Sequence, residues 1–379
     1  MDRLLTSIPR EDGFRMPGEF EPHAKTWLLW PERPDNWREK AKPAQNAFAD
    51  VAKAISQFEP VCMGVNPHVY DSARGMLPEN IQVVAIENDD AWMRDCGPTF
   101  VINDAGLVRG IDWIFNAWGG IEAGLYYPWE QDDAVPRKVL EFERLERYKA
   151  PIVLEGGSIH VDGEGTLITT EECLLNPNRN PGFTRDDIER VLKDYLNISK
   201  VIWLGRGVYN DETSGHVDNL CCFLEPGVVA LTWTDDQADP QYEISLDAFQ
   251  RLQHASDAHN RKLTICKIHQ PDPVIITESE ANGVQVMPGS KPRLAGDRMA
   301  ASYVNFYLCN RGAVVPLFAD PHDQAALDTL QQFMPNRRVV GVPAREILLG
   351  GGNIHCITQQ QPAGKYSSVH PPKPAMGEL

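Results

Sequence analysis

The chain has 379 residues, 42% of them apolar, which is ample for a full hydrophobic core. Its formal charge of −17 argues against nucleic acid and anionic membrane surfaces as partners, and it is compatible with a small cationic substrate. No run of ~18 apolar residues could span a membrane, and no apolar signal-peptide core lies between Met1 and Phe20.

None of the eight cysteines forms a C-x-x-C pair, and Cys221 and Cys222 are adjacent, a spacing unsuited to a disulfide between them. A reduced, cytoplasmic protein without a zinc cluster is expected. Residues 1–15 are polar and read as loose. An apolar strand is expected at Thr26–Trp30, broken by Pro31 and Pro34. Phe48, Val51 and Ile55 recur at helical spacing and predict a helix over Pro43–Phe58. Strands follow at Val61–Val65 and Gln82–Ile86.

From there one unit recurs. Arg94–Pro98 leads into a hairpin, Thr99–Ile102 and Leu107–Ile111; Glu155–Gly157 leads into Ser158–Val161 and Thr166–Thr169. His216–Asn219 leads into Leu220–Phe223 and Val228–Trp233, and Ser302–Leu308 returns through Ala313–Phe318. The glycine turns between the strands are ordinary hairpin chemistry. Helices are predicted over Gln131–Glu146, Thr184–Leu196, Gln241–Ala255 and His322–Phe333, and strands over Val201–Leu204, Leu263–Ile268 and Arg338–Val342. A loop-like stretch, Gln270–Lys291, lengthens the fourth unit, and Gly350–Gln361 starts a fifth and stops early. Units that cannot bury a core alone are expected to close into a ring.

In Gly350–Gln361 three consecutive glycines precede an extended pattern holding one thiol, Cys356. A glycine-rich turn lets the backbone approach a ligand, and cysteine is partly ionised near neutral pH and strongly nucleophilic. Taken singly, the residues opening the hairpins have plain explanations: Asp95 as the ion-pair partner of Arg94, Glu155 and Asp218 as turn caps, His216 as a core histidine. Their equivalent placement in the repeat brings Asp95, Glu155, His216, Asp218 and Cys356 to one end of the ring. Three carboxylates crowded together repel unless a cation binds there.

The runs Trp92–Thr99, Leu154–His160, Gly215–Asn219 and Gly350–Pro362 resemble the agmatine deiminase family of guanidino-group-modifying enzymes. Met16–Glu19, Trp30-Pro31, Phe115–Gly120, Thr232–Asp236 and Ala300–Tyr307 extend the resemblance over nearly the whole chain. It implies an α/β fold, a five-bladed pseudo-symmetric α/β propeller of repeated ββαβ units. Residues 1–362 would form a single catalytic domain and 363–379 a disordered tail. It also implies a homo-oligomer, dimer or tetramer, and no metal or organic cofactor.

A guanidinium is planar and cationic, and carboxylates receive it bidentately. The resemblance implies that Asp95 and Asp218 hold it, with Glu155 beside them, so that its central carbon faces Cys356. His216 would then act as general acid and base. Cys96, beside Asp95, is a competing thiol. Asp211 and Glu212 are placed in sequence to meet a substrate amine, and Trp92 and Trp118 to wall its aliphatic stem. The activity implied is hydrolysis of agmatine to N-carbamoylputrescine and ammonia, a step in making putrescine. A deiminase of free or peptidyl arginine is the alternative. A papain-like peptidase suits the carboxylates poorly, and a ring-shaped binding module would show no turnover.

Overall fold

Local sequence decides where the crossover helices start. Thr184 caps helix Arg185–Leu196 by accepting from the Asp187 amide, and Asp187 returns the bond in a capping box, worth about 1 kcal/mol. That helix buries Ile188, Val191, Leu192 and Leu196, one face at helical spacing. Pro43 near the start of Lys42–Ile55 and Pro136 near the start of Val135–Glu143 preset φ where a missing N–H costs nothing.

The computed structural model describes residues 3–365. They fold as a mixed α/β chain with five small sheets. Four sheets share one connection: an antiparallel hairpin, a crossover helix, and a third strand parallel to the second. Ile159–Val161 pairs with Thr166–Thr170, which runs parallel to Lys200–Leu204 after helix Arg185–Leu196. Cys221–Glu225, Val228–Trp233 and Thr264–His269 repeat this around helix Gln241–His254. Tyr307–Cys309, Gly312–Leu317 and Arg338–Pro343 do so around helix Asp323–Phe333. Thr99–Asn103, Val108–Ile114 and Arg147–Val153 do so around Val135–Glu143.

The fifth sheet explains why the last unit stops early. Its hairpin is made from both ends of the chain: Gln359–Pro362 lies antiparallel to His23–Leu29, with Gln359 opposite Trp27. Trp27 Nε1 donates to Gln361 Oε1 at 2.7 Å and pins the register. Helix Lys42–Ile55 then crosses over to Val61–Val65, and Gln82–Ala85 completes the sheet.

Several expectations need correction. Residues 4–5 and 14–15 are paired strands at the two edges of the first sheet, so the N-terminal stretch is not loose where it is described, from residue 3; positions 1–2 lie outside the described residues. The helix expected over Gln131–Glu146 is two pieces, Glu130–Asp133 and Val135–Glu143, and Arg147–Val153 is a strand that Pro151 disguised. The strand expected over Ser302–Leu308 runs only over Tyr307–Cys309; before it Ser302 bonds Asn219 O and Asn305 bonds Cys356 Sγ. Cys356 lies in a turn, with the extended segment starting at Gln359. A short helix missed in the sequence, Arg345–Leu349, feeds that turn. The tail expected from residue 363 begins in contact: the Ala363 amide donates to Pro22 O at 2.8 Å, and Lys365 bridges Leu107. Positions 366–379 lie outside the described residues. Among the described residues no helix is long and apolar enough to cross a membrane.

Candidate active site

The turn after helix Arg345–Leu349 depends on Gly351, whose φ of +106° suits glycine. A side chain there would also run into Glu212 and Arg293. The turn is fastened from two sides: the Arg94 amide donates to Cys356 O at 3.1 Å, and the His355 amide to Asn305 O at 3.2 Å. Cys356 Sγ accepts from Asn305 Nδ2 at 3.3 Å and lies 3.6 Å from Asp218 Oδ2.

Asp95 sits on the short helix Met93–Cys96, at the entry to the first hairpin. Its Oδ1 accepts the Gly157 amide and its Oδ2 accepts Trp118 Nε1, both at 2.9 Å. Trp118 holds φ +62°, a strained value for a bulky residue, and Arg179 bonds its carbonyl at 2.7 Å. His216 precedes the Val217–Asn219 turn that opens the third hairpin, and Asp218 is its central residue. His216 Nδ1 stands 3.8 Å from Asp95 Oδ2, and Nε2 3.8 Å from Glu155 Oε2. Both His216 ring nitrogens, Glu155 Oε2 and Asp218 Oδ1 are buried without a hydrogen-bond partner.

These groups face one point. A Cβ built on Gly157 would lie 2.5 Å from His216 Nδ1, 2.8 Å from Asp95 Oδ1 and 2.9 Å from Asp218 Oδ2. Glycine leaves that point open. Gly157→Ala is therefore expected to cost on the order of 10²-fold in turnover while the melting temperature stays close to the parent's. Unchanged turnover in that variant would show that the point is not where reaction occurs.

A narrow cavity opens onto the site. Cys356, Asp95, Trp92, Trp118, Glu212 and Arg293 are among its lining residues. His216, Asp218 and Glu155 lie behind that lining. Trp92 stacks on Trp37 with centroids 5.3 Å apart and meets Trp118 edge-on at 6.3 Å. Glu212 pairs with Arg293, which also donates to Gly350 O at 2.6 Å. Asp211 is not brought to the cavity. Its Oδ1 accepts the Thr213 amide at 2.9 Å and Thr213 Oγ1 at 2.6 Å, and its Oδ2 accepts Asn219 Nδ2, so it builds the turn beneath Glu212. Cys96 is buried away from the cavity, and burial first, then Asp132 and Asp95, push its thiol well above its ordinary range.

The electrostatics follow from burial. Burial raises Asp95 to about 6, with Asp218 and Glu155 adding and the charge of His216 opposing. Glu155 goes the other way: burial would raise it, yet Arg179 and His216 hold it down at about 2. Burial works to lower His216, but Asp95, Cys173 and Glu155 outweigh it and hold the ring well above the ordinary histidine range. Burial and then Asp218 and Asp95 push the Cys356 thiol well above its usual value, against the pull of the Asn353 amide and Asn305.

Sequence reasoning missed Arg179, Asn305, Cys173, Glu19 and His355. Arg179 Nε donates to Glu155 Oε1 at 2.6 Å and Nη2 to Thr213 O at 2.6 Å. Cys173 offers its sulfur within 4.8 Å of ligand atoms of both Glu155 and His216. Asn305, Glu19 and His355 lie inside runs that carried the family resemblance, which was the available signal. Arg179 stands alone in an Asn- and Pro-rich loop and gave none.

A thiol set against a convergence of carboxylates and an imidazole places the chain in the class of guanidino-group-modifying enzymes. The family model described as Porphyromonas-type peptidyl-arginine deiminase matches residues 15–362. An agmatine deiminase of Pseudomonas aeruginosa is 60% identical over 94% of this chain and 98% of its own length. One from Ectopseudomonas mendocina is 58% identical over 95% and 98%. The solved agmatine deiminase of Enterococcus faecalis superposes with a TM-score of 0.94 at 50% identity, covering 96% of this chain and all of that one. The chain belongs to the agmatine deiminase family, within the Porphyromonas-type peptidyl-arginine deiminases.

Proposed function

We infer that the chain hydrolyses agmatine to N-carbamoylputrescine and ammonia, as an agmatine deiminase. The observation that carries the reading is the single point faced by Asp95, Asp218 and His216, with Cys356 Sγ 3.6 Å from Asp218 Oδ2. A flat cation with a fork of N–H donors at that point meets Asp218, whose Oδ1 has no partner, and offsets the burial and the repulsion that raise Asp95. The five sheets are read as blades of one α/β propeller, and residues 1–362 as one catalytic unit.

Each step uses a residue already in place. Asp95 and Asp218 hold the guanidinium, and the bound positive charge lowers the Cys356 pKa, so the thiol gives its proton to water in the cavity that it lines. The thiolate attacks the central carbon and forms a C–S bond. His216, protonated, gives its proton to the departing nitrogen, the C–N bond breaks, and ammonia leaves an S-alkyl thiouronium. His216, now neutral, takes a proton from water as that water attacks the same carbon. Collapse breaks the C–S bond, the hydroxyl proton of the adduct passes to the departing sulfur, and the ureido product leaves with the Cys356 thiol restored. A positioned imidazole contributes typically 10²–10⁴-fold to such a step.

Substrate-assisted ionisation has its own check. Alkylation of Cys356 in the free enzyme is expected to accelerate with pH without levelling off below about pH 9, because the thiol is raised. A plateau below 7 contradicts this step. Asp95 must be ionised to bind the cation, so kcat/KM is expected to fall about tenfold per unit as pH drops below about 6. A profile flat down to pH 5 removes Asp95 from the binding set.

For the tail, Glu212 lies at the cavity, and Trp92 and Trp118 flank the route. Arg293 already pairs with Glu212 at the cavity, so the choice of agmatine over arginine rests on the agmatine deiminases that the chain matches at 58–60% identity. Glu212→Gln is expected to raise KM for agmatine about tenfold with little change in kcat, the signature of uniform binding. Ammonia release from agmatine compared with arginine tests the whole reading: faster release from arginine would replace it with the arginine deiminase alternative.

A further inference from the structure

The Met16–Glu19 run finds its use behind the site. Glu19 is buried, and its Oε2 meets His355 Nε2 at 2.8 Å. The other nitrogen of the same ring, Nδ1, meets Asp218 Oδ2 at 2.9 Å. A carboxylate oxygen only accepts, so a ring bonded to two carboxylates carries protons on both nitrogens and a positive charge. Arg94, next to Asp95 on the same short helix, donates to Glu19 Oε2 at 3.2 Å and to Gln360 Oε1 at 2.7 Å. The Leu308 amide donates to Glu19 Oε1 at 2.8 Å. Four segments distant in sequence thus meet in one buried line: Arg94, Glu19, His355 and Asp218.

We propose that Glu19 and His355 are positioning residues, which hold Asp218 as an oriented anion: His355 Nδ1 anchors Oδ2, the oxygen that faces the point shared with Asp95 and His216, and Oδ1 is left without a partner. The inference rests on the agmatine reading for its kinetic consequence only. The titratable and charged groups facing His355 are Glu19, Asp218, Arg94, His160 and the Cys356 thiol. His160 stacks on His355 at 5.8 Å and 29° and accepts the Phe223 amide on Nδ1 at 3.2 Å. Burial pushes His160 down to about 4, so it is neutral near pH 7 and adds no competing charge. The line of alternating charges is balanced before substrate arrives, so the incoming cation meets an ionised Asp218. Bare burial would instead favour a protonated one.

Two measurements on the full-length protein decide this. The first needs no turnover: ring-nitrogen NMR of histidine-labelled protein, assigned by loss of the His355 signals in His355→Gln. At about pH 8, well above the ordinary histidine range, His355 is expected as the doubly protonated ring. In Glu19→Gln it is expected to lose that charge. A neutral His355 in the parent overturns the proposal. The second is the pH dependence of kcat/KM for agmatine. The acid limb of the parent is expected to follow one group, Asp95, which burial raises to about 6. In His355→Gln, Asp218 enters the titration window, so the limb steepens from one proton to two, and KM rises about ten- to a hundredfold. Glu19→Gln moves the same way by less, and the double variant is no worse than His355→Gln alone. An unchanged limb in both single variants, or strictly additive losses, overturns the proposal. Should His355→Gln fail to fold, the isosteric Glu19→Gln decides by its own limb. A parent that releases no ammonia from agmatine removes the agmatine reading, and the NMR result still decides the relay.

Discussion

Cys356→Ala is expected to lose ammonia release from agmatine on the order of 10⁴-fold or more, with the fold intact. The loss is large because no neighbour can take over. Cys96 is buried off the cavity, and Cys173 sits behind His216 and Glu155 without lining it. Stability should change little, since the sulfur makes only long contacts, 3.3 Å to Asn305 and 3.6 Å to Asp218. Cys356→Ser is expected to be as inactive and still to bind agmatine, because a hydroxyl keeps the shape but not the acidity. Binding by calorimetry and turnover by ammonia assay separate the two effects. Parent-like turnover in the alanine variant would falsify the nucleophile assignment.

Arg179→Met should cost about 3–5 kcal/mol of stability near neutral pH, read by denaturant unfolding. Arg179 and Glu155 are both fully buried, and Arg179 also closes the carbonyls of Trp118 and Thr213. Removing it strands an anion beside His216. The sign of the pH dependence follows from Glu155, which sits at about 2 in the folded protein against an ordinary 4.5. Its depressed pKa contributes stability that is fully present above about 4.5 and lost as pH falls towards 2. The parent therefore loses this contribution in acid while the variant has little of it to lose. The gap between them should narrow as pH falls through that window. A gap that is constant with pH would mean that Arg179 acts by packing alone. Activity should fall as well, because Trp118 loses the contact that holds its strained backbone.

Much of this architecture could be read from the chain because the hairpins carry two local signals, alternation and a glycine turn. Val228–Trp233 and Val61–Val65 lie where the pattern put them. Residues 14–15 and 147–153 were missed because their pairing is long-range: each borrows its hydrogen bonds from a strand already formed, and neither has clean alternation. The last hairpin has partners more than three hundred residues apart, and no local periodicity can announce that. Within the site, the residues that open hairpins shared a register and so could be picked out together. Asp211 and Glu212 are neighbours with the same charge, and sequence could not divide them. The turn chemistry of Thr213 and Asn219 claims the first and leaves the second at the cavity. Arg179 illustrates the limit: its importance lies in being the counter-charge to one buried carboxylate, which only the packed structure shows.

The central claim is that one sulfur becomes bonded to the substrate's guanidinium carbon during turnover. Enzyme mixed with agmatine, quenched in acid and weighed intact, is expected to carry one added mass equal to agmatine less ammonia. Digestion should place that mass on the peptide containing Cys356, and in the His355→Gln and Glu19→Gln variants it should form more slowly, in step with their slower turnover. Ammonia release without any adduct on that peptide, or the adduct on Cys96 or Cys173, would contradict the account.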